Sequence, residues 1–145
     1  MPAVRAAAHG TTSLLVVFED RPDSLWLRPL RAGFRHCFCL LRADRGWILC
    51  DSRIRGLRIM PLPEAGVEPL ARAYARLGAH VVALEGAGEA PRPFRPGPFS
   101  CVELVKRLAG IDRPGILTPF ALWRHLLADP RCRLVARPVD RRNRN

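Results

Sequence analysis

Short apolar runs, each bounded by turn-forming residues, dominate the first half of the chain. Residues 12–18 are apolar and β-branched and end at a turn cluster at 19–22, which predicts a first strand. The apolar run within 35–42 and the shorter run 47–50 flank a polar turn and predict a hairpin. Gly56–Leu62 predicts another strand, since it follows the hairpin and is closed by prolines.

Helical spacing appears in the second half. Residues 64–77 carry apolar side chains three and four positions apart, which predicts a helix that ends at Gly78. Apolar runs and capping residues predict the other elements, which are a buried strand over 79–84, helices over 101–109 and 119–128, and a last short strand over 133–136. Residues 86–99 are rich in glycine and proline and predict a long loop. The segment 24–30 fits a short helix and an edge strand equally well.

Strands come first in this order, followed by a helix, a strand, a loop and two helices. This order is typical of an α+β fold in which helices pack against a small antiparallel sheet. A chain of 145 residues, 48% of them apolar, has the size and the apolar content for one core. We therefore expect a single domain over residues 1–137, followed by a basic, disordered tail over 138–145.

The net charge is +11, and Lys106 is the only lysine among the 24 basic residues. A chain of this charge attracts polyanions at low salt, so weak, non-specific binding of nucleic acid is expected. No apolar run approaches the roughly 20 residues of a membrane-spanning helix, so no membrane span is expected. The five cysteines are an odd number without a C-x-x-C pair, which disfavours a disulfide framework and a zinc site. We expect a cytoplasmic protein without a cofactor or a metal ion.

Cys101 opens the predicted helix over 101–109. Ser100 and Glu103 match the capping box, with Ser100 as the N-cap residue. The first turn of a helix stabilises an anion through its dipole and its unpaired N–H groups, which lowers the pKa of a thiol there. The same N–H groups can hold an oxyanion, so Cys101 is a candidate nucleophile. The alternative is a small apolar side chain packed in the core.

His36 and Asp51 are candidate partners of this thiol. His36 stands at the head of the most apolar predicted strand, and a thiolate nucleophile usually needs a base. In a hairpin turned at residues 44–45, Phe38 faces Asp51, which places Asp51 diagonal to His36 on the same sheet face. Asp51 can then accept the second imidazole N–H and fix the tautomer. The alternatives are a core histidine bonded to a carbonyl group and a turn former at a strand end.

The other potential ligands give no metal or nucleotide site. Cys37 and Cys39 point to the sheet face opposite to His36, so three or four metal ligands do not converge. No glycine-rich phosphate-binding motif occurs. The remaining histidines are assigned to structure or to the surface: His9, His80 and His125.

The predicted order places a histidine on a strand, a carboxylate on the next strand and a cysteine at the start of a later helix. In this order the chain resembles the circularly permuted NlpC/P60-type papain-like hydrolases, and in particular small proteins encoded in phage and prophage regions. The segments that carry the resemblance, between about residues 33 and 126, are GFRHCF at 33–38, WILCD at 47–51, FSCVELVK at 99–106 and TPFALW at 118–123. The resemblance implies a papain-like domain with the catalytic residues Cys101, His36 and Asp51. It implies a thiol-dependent hydrolase or acyltransferase that acts on a peptide, such as a cell-wall peptide, or on another acyl substrate.

Two other functions remain open. A papain-like chain can be a non-catalytic structural or assembly component of a phage particle, with phage structural proteins as partners and a virion-associated location. The chain can also be an arginine-rich nucleic-acid-binding module. An enzyme is expected to hold Cys101 against His36 beside a cleft. A structural protein is expected to cover the thiol or turn His36 away, and a nucleic-acid-binding module to present one basic face.

Overall fold

The structure is a computed structural model that describes residues 12–21, 28–86 and 100–139. This part of the chain contains, in order, β1 (Thr12–Glu19), β2 (His36–Ala43), β3 (Gly46–Arg53), β4 (Gly56–Leu62), α1 (Val67–Arg76), β5 (His80–Glu85), α2 (Cys101–Ala109), α3 (Pro119–Ala128) and β6 (Cys132–Ala136). The strands form one sheet in the order β4-β3-β2-β1-β5-β6, and every neighbouring pair is antiparallel. The prediction of an α+β fold with an antiparallel sheet is confirmed.

Helices cover both faces of this sheet. Along β1, Leu14, Val16 and Phe18 belong to the apolar cluster that also contains residues of α2 and α3. Leu15 and Val17 belong to the cluster on the other face, which contains residues of α1. All five side chains are fully buried. Residues 14–18 of β1 therefore form one continuous apolar run, because a strand covered on both faces has no solvent-facing side.

The predicted elements agree with the structure to within a few residues, and β4, α2 and α3 have the predicted bounds. The strand predicted over 47–50 is longer in the structure, because its pairing with β4 continues to Arg53. The first helix begins at Val67, three residues later than predicted. Trp47 Nε1 donates to the Ala65 carbonyl at 3.0 Å. This hydrogen bond holds residues 63–66, which precede the helix, against the hairpin in a non-helical conformation.

The start of α2 is fixed by its cap. The hydroxyl of Ser100 accepts a hydrogen bond from the N–H of Glu103 at 3.1 Å, so this half of the predicted capping box is present. The carboxylate of Glu103 pairs instead with Lys106 at 3.0 Å and with Arg107 at 3.3 Å, one turn further along. The helix ends at Gly110, whose φ of 73° is left-handed, as expected for a glycine cap. These contacts fix the first turn, which carries the candidate nucleophile.

Some of the predicted features lie outside the described residues. They are His9, most of the segment 24–30, the loop over 86–99 apart from Gly86, and most of the tail. Residues 28–30, which the structure describes, form a turn.

The helices of the described part are short, with ten residues at most. None of them has the length and the apolar character that are needed to cross a membrane.

Gly46, at the start of β3, is a position where an added methyl group is expected to be costly. Its φ is +117°, and a Cβ atom there would overlap the carbonyl oxygen of Leu62. Gly56, at the start of β4, has a φ of +145° but open space around it. Both alanine variants carry backbone strain of about 1–3 kcal/mol, and only Gly46→Ala adds a steric clash. We expect urea denaturation to show a larger loss of unfolding free energy for Gly46→Ala, and equal losses would contradict this.

Candidate active site

The β2–β3 hairpin brings His36 and Asp51 into contact. Its register pairs Cys39 with Cys50, in agreement with the predicted turn, so Asp51 lies diagonal to His36. Nε2 of His36 lies 2.7 Å from Oδ1 of Asp51, and only 2% and 4% of the two side chains are exposed. Because Asp51 occupies Nε2, the other ring nitrogen, Nδ1, is left for a second partner.

Cys101 is the first residue of α2, and its side chain meets the start of β2. It interacts there with the imidazole of His36 and with both the thiol and the backbone N–H of Cys37. Cys37 and the helix share one face of the sheet. The ring of His36 lies beside Phe38, whose side chain belongs to the cluster on the other face. Cys101 can meet both residues because His36 and Cys37 are the first two residues of their strand.

These surroundings lower the pKa of the Cys101 thiol to about 5. A hydrogen bond with Cys37 is the main cause, because it stabilises the thiolate, whereas burial acts in the opposite direction. His36 lowers the pKa of Cys101 further through a hydrogen bond and its positive charge, and so does the backbone N–H of Cys37. The first backbone N–H groups of α2 also favour an anion, since they have no acceptor within the helix. The thiol is therefore ionised at neutral pH.

The same contacts keep His36 protonated. Burial of the ring lowers the pKa of His36, but hydrogen bonds with Asp51 and Cys101 outweigh this effect. Together with the negative charges of Asp51 and Cys101, these hydrogen bonds raise the pKa of His36 to about 9. Burial raises the pKa of Asp51, but hydrogen bonds with His36 and Arg53 bring it below its ordinary value. At neutral pH the site thus holds a thiolate, an imidazolium and a carboxylate.

Arg53 and Glu19 extend this group beyond the predicted residues. Arg53 Nε donates to Oδ2 of Asp51 at 2.7 Å, and its guanidinium lies 3.6 Å from Oε1 of Glu19. Glu19 is the direct partner of His36 in the pairing of β1 with β2. Neither residue was predicted as part of the site. Arg53 could have been found, because a residue two positions after Asp51 in a strand lies on the same face.

Cys37 is a further residue that was missed. It was predicted to point to the sheet face away from His36, and it does lie in the core cluster that α2 covers. Burial raises the pKa of Cys37 well above its ordinary value, so this group stays a thiol and can donate to the Cys101 thiolate. Strand periodicity assigns His36 and Cys37 to opposite faces of the sheet. It does not show that the Cys101 thiol, which lies at the end of the strand, contacts both residues.

The remaining described histidines lie away from these residues. The ring of His80 stacks on Phe34 with a centroid distance of 4.7 Å and meets Trp123 at 4.9 Å. Burial lowers the pKa of His80, which makes the neutral ring the dominant form at neutral pH. His125 is a partly buried residue near the end of α3.

The arrangement combines a charged nucleophile, a proton donor and acceptor, and N–H groups that can hold an oxyanion. No cluster of three or more His, Cys, Asp and Glu side chains suited to a metal ion occurs in the described ranges. Comparison of the chain with models of protein families, with curated proteins and with solved structures finds no match.

Proposed function

We propose that this protein is a thiol-dependent hydrolase or acyltransferase that acts on an amide or ester bond, with Cys101 as nucleophile and His36 as general acid and base. One observation carries the proposal. The thiol with a pKa of about 5 stands at the start of a helix, against a histidine that is bonded to a buried carboxylate. Strongly shifted pKa values of this kind cluster at functional sites.

The first half of the reaction forms an acyl-enzyme. The sulfur of Cys101 attacks the carbonyl carbon, and the electron pair of the C=O bond moves to the oxygen. Backbone N–H groups in the first turn of α2 hold the resulting oxyanion. As the C=O bond re-forms, the C–N or C–O bond breaks, and His36 gives its proton to the leaving amine or alkoxide.

The second half releases the acyl group. Neutral His36 takes a proton from water in hydrolysis, or from an amine or alcohol in transfer, and the new nucleophile attacks the thioester carbon. The C–S bond then breaks and Cys101 returns to the thiolate. Asp51 holds the ring of His36 through Nε2 in both halves and stabilises its positive charge.

The papain-like identity of the fold and its relation to permuted NlpC/P60-type hydrolases belong to this proposal. Their support is the chain order of the site, in which His36 and Asp51 lie on neighbouring strands and Cys101 opens a later helix.

The proposal is tested with p-nitrophenyl acetate as an activated ester. The wild-type protein is expected to release one equivalent of p-nitrophenol in a burst and to gain the mass of one acetyl group at Cys101, since the thiolate is already formed. Intact mass and peptide mapping detect the adduct. An adduct that decays in water indicates hydrolysis, and one that decays only after an amine or alcohol is added indicates transfer.

Cys101→Ala and Cys132→Ala form a matched pair of controls. Both cysteines are partly exposed, but the pKa of Cys132 is raised to about 11 by burial. The burst and the adduct are expected to be lost in Cys101→Ala and retained in Cys132→Ala. Acetylation spread over several cysteines, or absent from Cys101, would refute the proposed function.

A further inference from the structure

Strand β4 carries exposed apolar side chains on the outer edge of the sheet. Leu57 and Ile59, two residues apart on one face, are 51% and 62% exposed. Ile54, in the turn before the strand, is 67% exposed. Single apolar side chains on a surface are ordinary, but three within six residues form a patch that suits a binding partner.

The face to which Leu57 and Ile59 belong follows from the register. Ile59 pairs with Cys50, and Cys50 pairs with Cys39, both in the cluster under α2 and α3. The two exposed side chains therefore continue that face outward, beyond the area that the helices cover. We call Leu57 and Ile59 the apolar shelf.

On its opposite face β4 carries Arg58, beside Met60 and Leu62, which pack against the cluster that contains α1. Arg58 alternates with the two shelf residues, so its side chain leaves the strand on the other side. Residues 52–63 contain three arginines and no acidic residue. An added strand would therefore meet apolar side chains on one face and positive charge on the other.

The backbone of β4 is available to such a strand. β4 stands at the end of the sheet order, and in the part of the chain that the structure describes it pairs with β3 alone. An edge strand presents N–H and C=O groups along its outer side. Pro61, which donates no hydrogen bond, limits continuous pairing to residues 56–60.

We propose that β4 binds an extended, acidic peptide segment of a partner protein as a seventh strand, in which apolar and acidic residues alternate. Its backbone pairs with the outer edge of β4, its apolar side chains contact the apolar shelf, and its carboxylates lie beside Arg58. The backbone edge favours a peptide over a lipid surface or a nucleic acid, neither of which can continue a β-ladder. This binding is separate from the thiol chemistry of Cys101.

The test uses a fluorescein-labelled octapeptide of alternating Glu and Val at about 0.15 M salt, where surface charges are screened. Fluorescence anisotropy is expected to show saturable binding to the wild-type protein and to Cys101→Ala alike. Two further probes are an octapeptide of alternating Lys and Val, and one with four Glu followed by four Val. Both are expected to bind at least about tenfold more weakly, since the first repels Arg58 and the second lacks the alternation.

Variants locate the site. Ile59→Lys is expected to weaken binding of the Glu-Val peptide about tenfold, because it replaces half of the apolar shelf. Leu77→Lys is the matched control, since Leu77 is also an exposed apolar residue, 71% exposed, and lies at the end of α1. Arg58→Glu is expected to weaken binding of the Glu-Val peptide and to strengthen binding of the Lys-Val peptide. This reversal excludes a simple loss of folding.

Three outcomes would overturn the proposal. They are the absence of Glu-Val binding to the wild-type protein, equal binding of the clustered peptide, and an Ile59→Lys effect no larger than that of Leu77→Lys. Association with phosphatidylglycerol vesicles that is lost in Ile59→Lys, without peptide binding, would assign the apolar shelf to a membrane instead.

Discussion

Iodoacetamide is expected to alkylate Cys101 before the other four cysteines, with an apparent pKa of about 5 for the rate. The thiolate is the reactive form, and Cys101 combines the lowered pKa with partial exposure. Cys50 is the strongest competitor, because a hydrogen bond with Cys39 lowers its pKa to about 7. However, Cys50 is only 8% exposed and is expected to react slowly. Peptide mass mapping over a range of pH values gives the site and the rate.

Replacement of the base tests the cause of this reactivity. His36→Ala removes one hydrogen bond and one positive charge from the thiolate, so the apparent pKa of Cys101 rises toward the free value of about 8.5. A rise of two units, to about 7, would leave roughly a tenth of Cys101 as thiolate at pH 6, so labelling there is expected to slow about tenfold. The hydrogen bond with Cys37 remains in the variant, which limits the change.

The matched control is His125→Ala, which removes a partly buried histidine of α3. It is expected to leave the pH profile of Cys101 unchanged. If labelling of Cys101 is slow in the wild type, or if His36→Ala leaves its profile unchanged, the Cys-His pair is wrong and the structural alternative for Cys101 gains support.

Asp51→Ala is expected to lower the free energy of unfolding by about 3–5 kcal/mol, measured by urea denaturation at pH 7. Asp51 bonds His36 and Arg53, both at 2.7 Å. Removal of one partner of a buried ion pair leaves the other charge buried without compensation. The resulting loss of unfolding free energy exceeds any gain from the smaller side chain. Asp51→Asn is expected to cost less, because its amide oxygen can still accept from the ring.

A surface pair provides the comparison. Asp20 lies 3.0 Å from Arg35 and also accepts the N–H of Gly33, but 53% of its side chain is exposed. Ion pairs of this kind contribute about 0–1 kcal/mol, so Asp20→Ala is expected to cost far less than Asp51→Ala. Equal costs for the two variants would show that burial of the His36–Asp51 pair adds no stability.

The fold was largely predictable because the local signals agree with the sheet and helices that form. β4, α2 and α3 have the predicted bounds, and capping residues mark the ends of α2. The start of α1 was not predictable in the same way. The displaced start depends on the hydrogen bond from Trp47 to the Ala65 carbonyl, which joins residues 18 positions apart and leaves no trace in local spacing.

The site was predictable to the extent that it follows from one hairpin and one helix cap. The diagonal placement of His36 and Asp51 can be predicted from the position of the turn alone. The placement of Cys101 in the first turn of a helix can be predicted from Ser100 as the N-cap residue. The contributions of Cys37 and Glu19 depend on how α2 and β1 pack against the start of β2. These long-range contacts depend on tertiary packing, which residue spacing does not encode.

The position of β1 has a consequence for how the chain folds during synthesis. β1 lies inside the sheet, between β2 and β5. Its pairing with β2 can form early, but residues 80–85 must leave the ribosome before its second edge is paired. Until then β1, whose apolar side chains are fully buried in the finished fold, exposes an open edge. A nascent chain arrested before β5 is therefore expected to associate with other chains more readily than the finished fold.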